Sequence, residues 1–568
     1  MIYRTEHPKP QFQRDNWQNL NGLWQFEIDQ EKNGEARGLC KPDATLCDRI
    51  QVPFCCESKL SGIGYTDFVN GVWYQRKVQI TSEQLAGRVV LHFGAVDYYT
   101  TVYINGVLCG KHQGGYVSFH FDITDYLQEG ENTITVYAED HTPDPLIPTG
   151  KQSIERESKL CHYTRTTGIW QTVWLEFTPR AYIQSVVYHT DPQAGKVTLD
   201  ALVSGNETLV ASVYFGDQLV GRGQCVASDG KADLEISLSQ IRLWDVGQGN
   251  LYDVILEFGQ DRVKSYFGLR TIEYTDYKFL LNGRSVFQRL ILDQGFYPEG
   301  IYTAPSEADL VADIDRSLAM GFNGARLHEK IFEERFLYHC DRKGYLVWGE
   351  FPDWGLDMSR PDAIERMLPE WLAAIDRDRN HPAIVGWCPL NEVWDKDGKS
   401  PLPENIAAVY QATKAADPTR PCIDASGGFH GVTDIYDLHD YEQNPEIFRS
   451  YYENFAKDLT VTTPGAFPHR QKYDQKTPFF ISEYGGMSWN TENGWGYGDA
   501  PKSEAEFLGR VKKLTDVLMD CDKMFGFCYT QLTDVEQEQN GLYTYDRNPK
   551  FPPEQIYPIF ARPAAIEK

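Results

Sequence analysis

Three features of the 568-residue sequence predict two β-sandwiches followed by a (β/α)8 TIM barrel, a multidomain β plus α/β architecture. Short β-branched and aromatic runs occupy residues 1–180, a regular apolar–polar alternation occupies 181–274, and apolar runs separated by amphipathic helices occupy 275–568.

In the first region Val89–Phe93, Thr101–Ile104 and Thr133–Tyr137 read as strands. Asn105-Gly106, set between Ile104 and Val107, predicts a two-residue hairpin, because both residues tolerate the positive φ such a turn needs. From Asp140 to Gly168 the pattern breaks into a Pro- and charge-rich stretch beginning Thr142-Pro143-Asp144-Pro145. Loops of that length inside compact domains are often functional. In the second region Ser185–His189, Val197–Val203, Leu209–Tyr214 and Leu251–Phe258 alternate apolar and polar positions between turns rich in Gly, Asp and Asn. That pattern predicts an immunoglobulin-like sandwich with no chemistry of its own, a spacer.

The third region changes period. Ser306-Glu307-Ala308-Asp309 opens a helix with Leu310, Val311, Ile314 and Leu318 on one face, and Gly321 ends it. Ser503-Glu504-Ala505-Glu506 reads as a capping box leading into Phe507, Val511, Leu514 and Leu518. Between such helices lie eight apolar runs: Phe287–Asp293, Phe322–His328, Tyr345–Glu350, Ile384–Glu392, Cys422–Ser426, Ile435–Tyr441, Phe479–Glu483 and Phe525–Gln531. Eight strands alternating with helices over about 290 residues fit a (β/α)8 barrel. A doubly wound sheet is the alternative, but no GxGxxG or Walker sequence follows any of the runs.

Composition narrows the partners. Eighty-one acidic residues against 55 basic ones leave a formal charge of −26. Such a field repels phosphate backbones and anionic lipid, so neither nucleic acid nor membrane is expected as a partner. No apolar run is long enough to span a bilayer, and the N-terminus lacks the basic-then-apolar plan of a secretory signal, so a cytoplasmic location is expected. Twelve cysteines are too sparse for a disulfide scaffold, and Cys55-Cys56 has no second pair at zinc-ligand spacing. No metal and no cofactor are expected.

Active sites of such barrels sit at the C-terminal ends of the strands. That edge here reads Asp293, His328, Glu350, Asn391 with Glu392, His439 with Asp440 and Tyr441, Glu483, and Gln531. Carboxylates converging on one rim push each other's pKa values apart, which lets one act as acid while another stays ionised. Two carboxylates facing one bond is the arrangement of glycoside hydrolysis. Glu392 follows Trp387-Cys388-Pro389-Leu390-Asn391, and Glu483 follows Phe479-Phe480-Ile481-Ser482 and precedes Tyr484-Gly485-Gly486.

These residues also carry a family resemblance. Arg377-Asp378-Arg379-Asn380-His381-Pro382-Ala383-Ile384-Val385-Gly386-Trp387, leading to Asn391-Glu392, resembles the acid/base signature of glycoside hydrolase family 2. Ile481-Ser482-Glu483-Tyr484-Gly485 resembles its nucleophile segment. Gly321–Arg326, Cys340-Asp341 and Leu346–Glu350 match its second and third barrel strands. Gly71–Arg76 and Gly168–Glu176 resemble its N-terminal sugar-binding domain, and Phe267–Arg270 the edge of its immunoglobulin-like domain. The resemblance implies a jelly-roll sugar-binding sandwich over 1–180, an immunoglobulin-like sandwich over 181–274 and a catalytic barrel over 275–568. It further implies a retaining exo-β-glycosidase with Glu392 as acid/base, Glu483 as nucleophile and Asn391 on the sugar 2-hydroxyl. Tyr441 is then a candidate to hold the nucleophile, and His328, Glu350, His439, Asp293 and Trp489 are candidate substrate contacts. The substrate would be an oligosaccharide or glycoconjugate, and a homo-oligomer is compatible. A non-catalytic carbohydrate-binding protein is the alternative class; loss of either glutamate would mark it, and both are present.

Two departures bear on the sugar. Members related to bacterial β-galactosidases carry Ser-His-Tyr-Pro after the strand-two arginine, where this chain has Leu327-His328-Glu329-Lys330-Ile331. Members acting on glucuronides carry Asn-x-Lys after strand eight, where this chain has Asn540-Gly541-Leu542. The missing lysine favours a neutral sugar, β-D-galactose first and α-L-arabinopyranose next, over a glucuronide or galacturonide. The cations that could reverse this expectation are Arg547 and Lys550, several residues further on, and Lys151, Arg156 and Arg165 on the long first-domain loop.

Overall fold

The computed structural model describes residues 2–396, 398–489 and 494–568. In the first sandwich, a six-stranded sheet runs Asp48–Val52, Gly22–Ile28, Val72–Ile80, Gly130–Glu139, Tyr99–Ile104 and Val107–Gln113 in spatial order. It faces a four-stranded sheet of Trp17–Asn19, Val173–Thr178, Arg88–Phe93 and Phe119–Asp122. Inward residues such as Trp24, Phe26, Tyr74, Leu91 and Val136 form one apolar core between them. The Asn105-Gly106 hairpin is present, with φ of 52° and 80° at its two residues. The second sandwich pairs Tyr182–Asp191, Lys196–Ser204 and Lys231–Ser237 against a four-stranded sheet that ends in Asp261–Phe267. Lys231–Ser237 shows the half-buried alternation directly, with Ala232, Leu234 and Ile236 inside.

The third region is the barrel. Seven parallel strands lie in the order Ile384–Cys388, Leu346–Glu350, Gly324–Leu327, Gln288–Asp293, Gly526–Thr530, Phe479–Gly485 and Tyr436–Asp440. Most strand residues are buried, as expected of parallel strands covered on both faces. The expected fifth strand, Cys422–Ser426, is not formed. It meets its neighbour only at the isolated pairs Trp387–Cys422 and Asn391–Ser426. Asp424 diverts the backbone there: its carboxylate accepts from the amides of Ala425 (2.8 Å), Gly431 (2.6 Å) and Val432 (3.1 Å), and pairs with His430 Nδ1 at 2.7 Å. A side chain that binds local backbone competes with ladder pairing.

The helix Glu307–Ala319 follows Ser306 as expected. At Glu504–Met519 the capping box is half made. Ser503 Oγ accepts from the Glu506 amide, while the Glu506 carboxylate reaches one residue further back, to the Lys502 amide at 2.9 Å. No described helix is long and apolar enough to cross a membrane.

The three regions are joined by buried polar contacts. Arg14 bridges Glu176 of the first sandwich (2.9 Å) and Asp261 of the second (2.8 Å). Tyr266 of the second sandwich donates to Asp341 of the barrel at 2.8 Å. Glu370, on a barrel helix, accepts from the Tyr116 amide of the first sandwich at 2.6 Å.

Candidate active site

The barrel closes around Arg326, whose side chain is fully buried inside the strand Gly324–Leu327. A buried guanidinium must be paired to be tolerated. Its Nε donates to Glu350 at 2.5 Å, Nη1 to Glu483 at 3.1 Å and to the Ser482 carbonyl at 2.7 Å, and Nη2 to Asn391 Oδ1 at 3.2 Å. Three strand ends are thereby tied to one residue of a fourth strand. His328 adds a contact of its Nδ1 to Glu350 at 3.0 Å. Burial, helped by the positive field of Lys151, holds the His328 ring well below its ordinary pKa, so it is neutral.

Glu483 is gripped from the other side by the Tyr441 hydroxyl, which also lies 3.0 Å from Thr530 Oγ1. Glu392 sits just past its strand with φ of 53° and meets His439 Nδ1 at 2.8 Å. His439 Nε2 lies 3.4 Å from Glu483, so one imidazole spans the two carboxylates. Oxygens of Glu392 and Glu483 and a nitrogen of His439 all lie within 4.8 Å of one another. Burial pushes the Glu392 carboxyl up, yet the bond and charge of His439, with Lys151 and Arg326, outweigh it and hold the pKa below its ordinary value. The His439 ring is shifted the opposite way: burial disfavours its charge, but Glu483 and Glu392 raise it above its ordinary value. The proton of this pair therefore rests on the imidazole.

These three groups also meet the distance requirement of a metal site. The arginine bonded to Glu483 and the imidazolium between the carboxylates already supply the positive charge that a cation would bring. They fit a proton-transfer site better than a metal site.

Asn391 is held by its backbone. Its amide donates to Asp353 at 2.7 Å and its carbonyl accepts from Trp354 Nε1 at 3.2 Å, while its side-chain Nδ2 is buried without a partner. A fixed, unsatisfied donor beside two carboxylates is suited to a ligand oxygen. Asp293 stands apart: it accepts from its own loop at Gly295 N (3.0 Å), and burial together with the facing Asp313 lifts it to about 6. Trp489 also lies outside the cluster, its ring packed on Phe507 and Phe551 among the outer helices. Trp387 is core, its Nε1 bonded to Asp417 at 2.9 Å. Trp495 packs edge-on to Tyr497, which stacks on Tyr441 at 3.5 Å.

Apart from Gln531 and Asn540, read at and just beyond the strand-eight end, several site groups had no separate signal in the sequence. Trp354 and Asp353 follow the third strand in an unpatterned loop. Gln294, Gln531, Asn540, Glu538 and Tyr163 form a buried chain across the strand-eight side of the mouth: Gln294 Nε2 bonds Gln531 (2.5 Å) and Tyr163 (2.8 Å), and Gln531 bonds Asn540 (2.7 Å). Tyr163 comes from the first-domain loop. Only its position in an over-long loop hinted at it.

Comparison with known proteins gives the family. Residues 17–179 match the sugar binding domain of glycosyl hydrolases family 2, residues 181–270 a further family 2 domain, and residues 272–552 the family 2 TIM barrel domain. A beta-glucuronidase of Mus musculus is 25% identical over 544 residues, covering 85% of this chain and 79% of that protein. A beta-galactosidase of Thermoanaerobacter pseudethanolicus is 26% identical over 447 residues, covering 74% of this chain and 54% of its own length. The crystal structure of Ruminococcus gnavus beta-glucuronidase superposes with a TM-score of 0.78 at 20% identity, covering 99% of both chains. With its three domains matched in order along nearly the whole sequence, the chain belongs to glycoside hydrolase family 2 and is a glycoside hydrolase.

Proposed function

We propose that this enzyme is a retaining exo-β-glycosidase that releases β-linked hexuronic acids, with Glu483 as nucleophile and Glu392 as acid/base. The observation that carries the reading is the approach of Glu392 and Glu483 oxygens to within 4.8 Å. Retaining enzymes hold the two carboxyls about 5–5.5 Å apart, whereas inverting ones leave about 6.5–9.5 Å for a water. Glu483, aimed by Arg326 and Tyr441, attacks the anomeric carbon as the bond to the leaving oxygen breaks. The Glu392–His439 pair supplies the proton that this oxygen takes. Water then gives a proton to Glu392 and displaces Glu483, restoring the free carboxylate.

The acidic sugar departs from the neutral one that Asn540-Gly541-Leu542 favours. Its support is twofold: the relatives that match are mostly beta-glucuronidases, and Lys151 of the first-domain loop is buried at the barrel mouth. The neutral reading retains Leu542 and the beta-galactosidase relative in its favour.

Nitrophenyl glycosides decide the sugar. A β-glucuronide or β-galacturonide should exceed its neutral counterpart in kcat/KM by at least about tenfold, roughly 1.4 kcal/mol. A β-galactoside or α-L-arabinopyranoside as best substrate would reinstate the neutral sugar. Glu483→Gln should lose nearly all turnover, and a 2-fluoro glycoside should label Glu483. Glu392→Ala should slow poor leaving groups far more than nitrophenols and be rescued by azide. A label on Glu350 would overturn the assignment.

A further inference from the structure

We infer that Lys151, contributed by the first domain, is the cation that recognises the carboxylate of the sugar in the barrel. This inference rests on the uronide reading above and adds the residue that enforces it.

The geometry begins with the loop. Both its limbs are fastened to the barrel mouth. On one side the amides of Thr149 and Gly150 donate to the Trp354 carbonyl at 2.7 and 3.1 Å, and Arg366 pairs with Asp144 at 2.9 Å. On the other, the Tyr163 hydroxyl donates to Glu538, and Gln537 donates to the carbonyls of Leu160 and His162. Lys151 lies between these anchors. Its residue is only 6% exposed, and its ammonium stands 3.5 Å over the ring of Trp354, whose indole nitrogen bonds the Asn391 carbonyl. The cation is thus placed beside the same Asn391-Glu392 segment that faces the anomeric carbon.

Several other cations near the mouth are engaged elsewhere. Arg165 spends its guanidinium on the backbone carbonyls of Thr66, Ser153, Glu155 and Arg156. Arg156 is exposed and pairs with Asp67 at 3.2 Å. After strand eight, Arg547 pairs with Asp313 at 3.3 Å and Lys550 with Asp534 at 2.6 Å. Lys330 donates to the carbonyls of Gly295 and Tyr302 at 2.6 and 2.8 Å. Among the described residues the Lys151 ammonium makes no hydrogen bond and no ion pair, its residue being held through its carbonyl, which accepts from the Tyr163 amide at 2.7 Å.

The acids that face it are already engaged. Glu392 is bonded to His439, Glu538 accepts from Tyr163 and from Asn540 Nδ2 (3.1 Å), and Glu329 accepts from the Trp354 amide at 3.2 Å. Burial and the neighbouring Asp353 hold Glu329 well above its ordinary pKa, so it is protonated. Burial opposes the Lys151 charge, but the field of Cys161, Glu392, Glu538 and Glu329 outweighs it and keeps Lys151 charged, yet none of them bonds its ammonium, and an incoming carboxylate supplies that direct partner. A neutral hydroxymethyl group does not.

The test compares paired substrates that differ only at C6: nitrophenyl β-glucuronide with β-glucoside, and β-galacturonide with β-galactoside. Lys151→Met keeps the stem over Trp354 and removes the charge. The uronide-to-neutral ratio of kcat/KM should fall by about thirtyfold or more, the range seen when a buried charge partner is truncated. Lys151→Arg should recover part of that ratio. The two uronides separate recognition of the carboxylate, shared by both, from recognition of the 4-hydroxyl. If Lys151→Met does not fold, Lys151→Gln carries the same comparison. Equal losses on charged and neutral partners would overturn the inference and assign Lys151 to Glu392, leaving the uronide reading intact. A wild-type enzyme that cleaves neither uronide would overturn both.

Discussion

Tyr441 and Asn391 show how single residues divide the work around Glu483, the proposed nucleophile. Tyr441 donates a hydrogen bond to Glu483, is braced by Thr530, and stacks on Tyr497 at 3.5 Å. Removing only the hydroxyl leaves the ring stack and takes away a hydrogen bond to a charged group, worth about 1.5–3 kcal/mol. Tyr441→Phe is therefore expected to lower kcat by about 10–100-fold with little change in thermal stability, as read by steady-state kinetics and a melt. An unchanged kcat would show that Arg326 alone aims Glu483. The sequence pointed to Tyr441 and both glutamates because strand ends are legible as apolar runs that stop at a polar residue. Arg326 was harder to read as a site residue. It sits inside a strand, and only the closed barrel makes one buried guanidinium the common partner of Glu350, Glu483 and Asn391.

At the scale of elements, the legible parts were those with a local cause. The Asn105-Gly106 hairpin, the alternation of Lys231–Ser237 and seven of the eight barrel strands follow from residue type and period. The fifth strand failed because Asp424 binds four donors of its own segment, a preference that hydrophobic periodicity does not register. The loop at 141–168 was visible as an anomaly, but its destination depends on tertiary contact. Gly150 is one place where that contact is tight: its φ is +56°, and a Cβ there would stand 2.5 Å from the Glu329 carbonyl oxygen. Gly150→Ala should cost about 1–3 kcal/mol of stability through backbone strain and lift Lys151 from its seat. The expected result is a drop of kcat/KM toward the best substrate that exceeds what the lowered melting temperature explains. A variant that melts early but retains full kcat/KM would show that the loop does not shape the site.

For the molecule as a whole, the buried titratable groups set how stability changes with pH. Burial, with Glu57 nearby, lifts Asp140 to about 7; burial lifts Glu370, at the junction of first domain and barrel, to about 7 and Asp353 to about 8. A raised carboxyl pKa means that the native state holds a proton the unfolded chain has released, so stability falls as pH rises between the two values. His430 acts in the same direction. Burial opposes its charge, but Asp424 and Asp437 outweigh burial and lift it to about 9, so its stabilisation is complete below about 6.5 and is lost as pH climbs through 9. Opposite in sign are His7, His112, His120 and His162, which burial lowers to about 4. The unfolded chain protonates them first, so they favour the native state increasingly as pH rises from 4 to about 6.5. Below 6.5 the two sets oppose each other. Above it the carboxyls and His430 act together, resisted from about pH 7 by Lys330, which burial lowers to about 7. The formal charge of −26 adds self-repulsion as the last protons leave. The melting temperature should therefore be highest near or below pH 6.5 and fall by roughly 3–6 °C toward pH 8.5. His430→Gln and Glu370→Gln should each flatten that fall, the first above pH 7 and the second below it. A melting temperature that rises steadily from pH 6.5 to 8.5 would mean that the buried lysine outweighs the carboxyls, and that the domain junction does not hold its protons.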